Sequence, residues 1–416
     1  MASDKSEYSS DEQNPPEWLN NTFFEQALAE YLSDTAICVT KVDFRPGTKA
    51  GDHYGSCMFR AKVTFDTRKS TCDVINLIIK TLPVDDGAKL ELLRECTAFK
   101  TEMKMYGEVL PEMHRLLRTI NDDTKICPTI VYQSNEPAPI LMFIDEGPNG
   151  FKSFEKALNL EQTKVLCDRI AKFHACSVYM NENGVDLTTM DDCPYKKVEG
   201  KMNFLSFFIT KNIKSAVNSV KKWKSVDDIL EVMEKNVAVF DERIESLFRS
   251  QDKLPYQILI HGDFGFKNMM YRNDGTKSED FLLIDYQFCY WNTPAMDVLA
   301  LLYMCANFEA RKSHREAIIQ EYFIIFIDTL TKLDYKGRFP ELSDLQTEIK
   351  RCGLLEYMFL MVFVPFEYVD FTKLNMNEMM ENQDLHGISK HAFENADFQE
   401  MLVNRVRYLI EIGAFD

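Results

Sequence analysis

Residues 258–271 read ILIHGDFGFKNMMY. An apolar run stops at His261-Gly262-Asp263, Asn268 follows five residues after the aspartate, and a second apolar patch begins at once. A carboxylate and a carboxamide at this spacing, in a polar loop between two strand-like segments, make either an ordinary turn or a point where two oxygen-bearing side chains meet. The remainder of the chain has to decide between them.

At 416 residues the chain exceeds what one hydrophobic core usually serves, so two lobes are expected. A composition of 45% hydrophobic and 27% charged residues is that of a globular protein. The formal net charge of -17 argues against a general binder of nucleic acid or anionic membrane, since both require a basic surface. Thirty Phe and twenty Met suit adaptable apolar cores or pockets. Eleven Cys without a C-x-x-C pair or a zinc-type Cys/His cluster fit a reducing compartment. Residues 1–17 are polar and acidic and read as a disordered tail. The most apolar stretch, 354–366, is too short to span a bilayer, contains Glu356, and reads as one buried helix. Together these features predict a cytoplasmic protein with no nucleic-acid or membrane partner, and nothing implies a protein partner.

The period of the pattern changes along the chain. An amphipathic helix over 18–32 is followed by strand-like runs at 36–44, 55–65 and 72–82. The middle run alternates, with Met58, Arg60, Lys62 and Thr64 against Phe59, Ala61, Val63 and Phe65. Residues 88–110 have helical spacing with a stripe of Phe99, Met103, Tyr106 and Leu110, and 129–133 and 139–144 read as two further strands. From about residue 151 helices dominate, interrupted by strand-like patches near Ile258, Met269 and Phe281. The expected fold is therefore α+β: a small antiparallel N-terminal lobe with one main helix over 18–145, then a large helical lobe over 146–416.

Four features recur in a fixed order. The segment 49–56 holds Gly51, Tyr54, Gly55 and Ser56 between two strands; it is either a hairpin of small residues or a backbone cover for a phosphate. Lys80 closes the apolar strand 74–79, and Glu102 lies on the apolar face of the following helix. A carboxylate placed there needs a cation, and Lys80 is the nearest candidate. Such a pair would hold the lysine at the phosphates of a nucleotide. The last feature joins the opening loop to 281–287, where a strand ends in Asp285. The turn 272–275 between them would bring Asn268 and Asp285 to one end of a hairpin, a pair of oxygen donors suited to Mg²⁺. Asp263 would then accept the proton of a hydroxyl.

Lys80, Glu102, the H-G-D-x-x-x-x-N segment of His261–Asn268 and the distal Asp285 resemble the protein-kinase-like phosphotransferases of the aminoglycoside and choline kinase type. FKTEMKMY at 99–106 with Leu110-Pro111, AKFHACS at 171–177, and Asp285-Tyr286-Gln287 followed by TPAMD at 293–297 are closer still to the ecdysteroid kinase-like (CHK kinase-like) family. The resemblance runs from about Trp18 to the C-terminus and implies a protein-kinase-like fold of two lobes. It further implies that Asp263 is the catalytic base, that Asn268 and Asp285 hold Mg²⁺, and that Lys80, fixed by Glu102, contacts the phosphates of ATP. Gly51, Tyr54, Gly55 and Ser56 would cover those phosphates, and Phe143 and Asp145, in the segment 141–145, would line the adenine. Asp297 falls where the superfamily has a buried brace of the catalytic loop.

The implied activity is transfer of the ATP γ-phosphoryl group to a hydroxyl of an apolar small molecule, an ecdysteroid or a related steroid or xenobiotic alcohol. A choline- or aminoglycoside-type kinase and an inactive nucleotide-binding pseudokinase are the alternatives. Gly265 stands where the family commonly has Trp, Lys267 where an Asn is common, and Tyr286 where Phe is usual. Residues 143–146 read FIDE where an acidic-Leu pair is frequent. None of these removes a group that handles phosphate or metal.

Overall fold

A computed structural model describes residues 14–47, 56–82, 98–154, 156–190, 204–249, 254, 256–273, 279–368 and 391–416. These fall into two compact units. The first holds the described residues up to Pro111 together with Cys127–Lys152; the second holds Glu112–Ile126 and the described residues from Ser153 onward.

In the first unit a five-stranded antiparallel sheet has the order β1-β2-β3-β5-β4. Its strands are β1 (Cys38–Pro46), β2 (Cys57–Asp66), β3 (Asp73–Thr81), β4 (Ile130–Ser134) and β5 (Ile140–Ile144). The alternation read in β2 is real: Phe59, Ala61, Val63 and Phe65 are buried, and the residues between them are not. They face helix α1 (Asn21–Leu32), whose Phe24 and Leu28 are fully buried against the sheet. Burying each such side chain contributes roughly 1.5–3 kcal/mol. The helix starts three residues later than its apolar pattern suggests, because the Asn20 side chain caps it by accepting the Phe23 N–H at 3.2 Å.

Across the sheet lies α2 (Ala98–Lys104), which runs through a π turn at Met105–Val109 into α3 (Leu110–Thr119). The π turn adds a residue to one turn and rotates the buried face. Thr101, Glu102, Met105, Tyr106, Val109 and Leu110 are buried, while Phe99 and Met103 of the expected stripe are only half-buried. A Cβ at Gly107 on this turn would stand 2.1 Å from Nε2 at the end of the Gln133 side chain of β4, which would have to move aside. The N-terminal part of the expected helix, 88–97, lies outside the described residues.

The second unit is mainly helical. Its centre is α4 (Leu160–Glu182), opened by a capping box in which Asn159 and Gln162 exchange hydrogen bonds of 3.0 and 3.1 Å. The other helices of the unit are α5 (Phe204–Val220), α6 (Asp227–Val237), α7 (Phe240–Arg249), α8 (Ala295–Ala300), α9 (Phe308–Lys332), α10 (Leu342–Arg351), α11 (Gly353–Met358) and α12 (Ala396–Glu411), of which α9 packs along α4. Two short ladders carry the loop of interest. β6 (Ile258–Ile260) pairs with β9 (Tyr290–Asn292), and β7 (Met269–Asn273) forms a hairpin with β8 (Glu279–Leu283).

The stretch 354–366 is buried but is not one α-helix. α11 ends at Met358, a π segment covers Phe359–Phe363, and a 3-10 segment covers Val364–Tyr368. Pro365 has no N–H to continue an α-helical ladder, so the geometry changes ahead of it. Glu356 is fully buried there and paired with Arg405 and Arg315. Among the described residues no helix is long and apolar enough to cross a membrane.

Candidate functional site

In the first unit, Lys80 lies near the end of β3, opposite Met58 of β2 and Leu141 of β5. Because side chains alternate along a strand, Lys80 leaves the face on which Leu77 and Ile79 meet α1 and turns to the face of α2. There its Nζ stands 2.6 Å from Glu102 Oε2, and both side chains are buried. A buried pair of this kind gains little net stability, but removing one partner strands a charge and costs about 3–5 kcal/mol.

Ser56 is buried immediately before β2. Gly51, Tyr54 and Gly55 lie outside the described residues. Phe143, on β5, packs its ring against Tyr106 at 4.6 Å. The Asp145 carboxylate is held by Arg60, which comes from the polar face of β2, and by the Gly147 N–H at 2.9 Å. The Asp145 N–H is taken by the Asn76 carbonyl at 2.9 Å. The partnership with Arg60 is invisible in the sequence, where Arg60 is one of the polar residues that alternate with Phe59 and Ala61.

In the second unit the opening loop folds around Asn268. Its Nδ2 donates to the Asp263 carbonyl and to Asp263 Oδ2, each at 2.8 Å. The Asn268 carbonyl accepts the Ile284 N–H at 3.0 Å, one residue before Asp285. The β7–β8 hairpin, registered Met269 to Leu283, thus brings Asp263, Asn268 and Asp285 to one end. Asp285 adopts a left-handed backbone (φ 67, ψ 54) that few residues other than Gly, Asn and Asp accept. Gln287 Nε2 donates to its Oδ2 at 3.2 Å.

The donor chemistry of this cluster fits a hard cation. Both hydrogens of the Asn268 amide are used within the loop, which leaves its side-chain oxygen as a donor alongside the Asp285 carboxylate.

Behind the loop, Asp297 at the start of α8 is buried and accepts three hydrogen bonds. The His261 N–H reaches it at 2.6 Å, the Gly262 N–H at 3.3 Å and His174 Nε2 at 3.0 Å. His174 Nδ1 meets the Tyr322 hydroxyl at 2.8 Å. The tautomer that satisfies both partners is neutral, with its proton on Nε2. Burial holds His174 below the usual histidine range against the pull of Asp297. His261, also buried, donates from Nε2 to the Ile284 carbonyl at 3.1 Å, and burial lowers its pKa too.

Two thiols complete the support. Cys289 donates to the His261 carbonyl at 3.7 Å and Cys305 to the Phe264 carbonyl at 3.9 Å. Gly262 has φ 78, and a Cβ on it would stand 2.0 Å from the Phe288 carbonyl oxygen. Its glycine is therefore required by both backbone and space. Cys289, Cys305 and Tyr322 carry no local sequence signal, since each acts on a segment distant along the chain; Gln287 belongs to the Asp285-Tyr286-Gln287 segment already singled out.

An antiparallel sheet with a strand lysine paired to a helix glutamate, followed by a helical unit carrying H-G-D-x-x-x-x-N and a strand-end aspartate, defines a kinase-like α+β phosphotransferase. The sequence pattern of the Ecdysteroid kinase-like family matches residues 50–335, and the chain belongs to that family. No curated protein matches its sequence. Among solved structures the chain is similar to an ethanolamine kinase of Plasmodium vivax at 14% identity, over 89% of this chain and 81% of that one, with a TM-score of 0.37. It is also similar to a microcompartment-associated aminopropanol kinase at 11% identity, over 95% and 99% of the two chains, with a TM-score of 0.40. A choline kinase from Streptococcus pneumoniae is similar at 16% identity, over 81% and 99%, with a TM-score of 0.32.

Proposed function

We propose that this chain transfers the γ-phosphoryl group of Mg²⁺-bound ATP to a hydroxyl of an apolar small molecule, an ecdysteroid or a related steroid or xenobiotic alcohol. The observation that carries the reading is the hold of Asn268 on Asp263, 2.8 Å from amide to carboxylate, with the Asn268 carbonyl tied to the residue before Asp285. Bound Mg²⁺-ATP supplies the electrophilic phosphorus and spreads the charge that develops on the transferring group.

The residues of the chain bind and orient. Lys80, kept in place by Glu102, binds phosphate oxygens, and the segment with Gly51, Tyr54, Gly55 and Ser56 covers them. The Asn268 side-chain oxygen and the Asp285 carboxylate hold the metal. Phe143 contacts the nucleotide base, and Asp145 acts by fixing that segment through Arg60 and Gly147. Asp263 orients the acceptor hydroxyl and takes its proton at the carboxylate, a step typically worth ~10²–10⁴-fold. The connection from Asp285 is short: one 3-10 turn, β9, and then α8 from Ala295. That length favours a small acceptor over a protein.

The test is incubation with ATP, Mg²⁺ and a panel of ecdysteroids, choline and plant glycosides, with product followed by mass. Phosphorylated ecdysteroid is expected, and Asp263→Asn should abolish it. No turnover on any acceptor, together with no Mg²⁺-ATP thermal shift, would overturn the kinase reading. Turnover untouched by Asp263→Asn would overturn the role of that residue alone.

A further inference from the structure

The second unit holds a cavity of about 440 Å³ away from the H-G-D-x-x-x-x-N loop. Its volume falls in the range of small-molecule pockets, roughly 300–1,000 Å³. It lies beside Gln257, just before β6, whereas the loop leaves the other end of that strand. Gln257 Oε1 accepts the Trp291 indole N–H at 3.0 Å and so joins β6 to β9 at the cavity wall. Asp263, Asn268 and Asp285 do not line it.

The wall is amphipathic. Val178, Trp291 and Pro340 are buried and supply apolar surface, while Glu182 and Arg338 are exposed and mark the mouth. Tyr256 also lines the space, with its ring packed edge-on against Phe326 at 5.7 Å. Its hydroxyl is buried and has no hydrogen-bond partner. Burial raises its pKa well above the usual tyrosine range, so the group remains an O–H donor. A buried donor without an acceptor is destabilising, and here it stands on the wall of a space large enough for a ligand that would answer it.

The charges at the mouth are not balanced. Arg338 pairs with Asp344 at 2.9 Å, and Asp344 also accepts the Glu341 N–H at 3.0 Å, so both are committed. Glu182 is the last residue of α4, and among the described residues it makes no ion pair. The lining side chains therefore keep one net negative charge. No basic residue stands in the last turn of α4, where the carbonyl dipoles leave a partial negative charge of their own. A cation at the mouth would meet a free carboxylate and a helix C-terminus, and a phosphate or carboxylate ligand would be repelled by both.

We propose that this cavity is a second small-molecule site, and that it takes a protonated organic amine with an aromatic body and an oxygen acceptor at its far end. The ammonium group sits at Glu182, the body lies against Val178 and Trp291, and the acceptor receives the Tyr256 hydroxyl. The site is separate from the phosphotransfer loop and does not rest on that reading.

The test uses two probes of the same shape. One is para-methoxyphenethylamine, which is protonated at neutral pH and has no hydroxyl to phosphorylate; the other is para-methoxyphenethyl alcohol, which is uncharged. Affinities are measured by isothermal titration without nucleotide, and the amine should bind the more tightly. Glu182→Gln, a change on the exposed rim, should weaken the amine about fivefold and leave the alcohol unchanged. Tyr256→Phe should weaken both probes about fivefold. The melting temperature of ligand-free Tyr256→Phe should hold or rise, because the substitution removes a hydroxyl that nothing in the fold satisfies. Asp263→Asn should leave both affinities unchanged.

No binding of either probe, or amine affinity equal in wild type and Glu182→Gln, would overturn the proposal. Loss of amine binding in Asp263→Asn would place the amine at the phosphotransfer loop and overturn it as well. So would a lowered melting temperature in Tyr256→Phe, which would mean that the fold already uses the hydroxyl. Because no nucleotide is present, each outcome stands whether or not the chain phosphorylates any acceptor.

Discussion

Nζ of Lys80 stands 2.6 Å from Oε2 of Glu102, and both side chains are withdrawn from water. Lys80→Ala should therefore cost about 3–5 kcal/mol of stability, because Glu102 is left buried and unpaired. Replacing both residues, as Lys80→Met with Glu102→Leu, should recover most of that stability while Mg²⁺-ATP affinity stays lost. Urea unfolding and a nucleotide thermal shift separate the two effects. A double variant that still binds Mg²⁺-ATP at wild-type strength would show that the pair serves the fold alone.

Asp297 gathers the His261 and Gly262 N–H groups and the His174 ring at one carboxylate. Asn at this position offers a single acceptor oxygen and turns an NH₂ group toward donors. Each lost bond should cost about 1–3 kcal/mol. Asp297→Asn is expected to lower the melting temperature and to speed amide exchange at residues 261–264. Exchange at wild-type rates would show that the loop is held by other contacts.

The glycines of the loop should respond oppositely to alanine. Gly262→Ala forces a side chain onto φ 78 and to within 2.0 Å of the Phe288 carbonyl oxygen, and should destabilise by about 4 kcal/mol or more. Gly265→Ala adds a methyl group at ordinary contact distance from Met304 and should stay within about 0.5 kcal/mol of wild type. Equal losses in a denaturation series would contradict this account of the loop.

Acid sensitivity should begin with histidine. Burial, with Arg118 and Lys125 nearby, pushes His114 down to about 4, while its Nε2 accepts the Ile126 N–H at 2.9 Å. The unfolded chain takes up this proton near pH 6.5. Between about 6.5 and 4 the unfolded state therefore binds protons that the folded state refuses, and stability falls as pH falls through that window. His174 and His261 are shifted in the same direction. Melting temperature measured from pH 7 down to 4.5 should decline, and His114→Gln, which keeps an acceptor but cannot titrate, should flatten part of the slope. A slope identical in the variant would remove His114 from the account.

Local pattern carried the elements furthest where one face is buried. The alternation in 57–66 and the apolar run before Lys80 place the strands because a strand's two faces meet different surroundings. Pattern erred where hydrogen-bonding geometry changes inside an apolar run. The π turn after α2 rotated the expected stripe, and the approach to Pro365 divided 354–366 into three kinds of turn. The apolar residues of such runs suit any of these backbones, so composition does not report which ladder forms.

For the site, the residue types and spacings were legible: Lys80, Glu102, Asp263, Asn268 and Asp285 are polar groups at places that ordinary strands and helices do not favour. Of the turn expected at 272–275, Arg272 and Asn273 belong to β7 and 274–275 lie outside the described residues; the register of β7 with β8 is what draws Asn268 and Asp285 to one end. The sequence by itself thus determined an α+β chain with a kinase-type set of polar residues in order. Tertiary structure alone decided what holds them, because those partners lie far away along the chain: Arg60 on Asp145, Asp297 beneath His261, and two thiols behind the loop. It also decided that Gly262 is glycine by necessity, whereas a Cβ at Gly265 would stand at ordinary contact distance from Met304, a distinction set by the atoms each missing Cβ would meet.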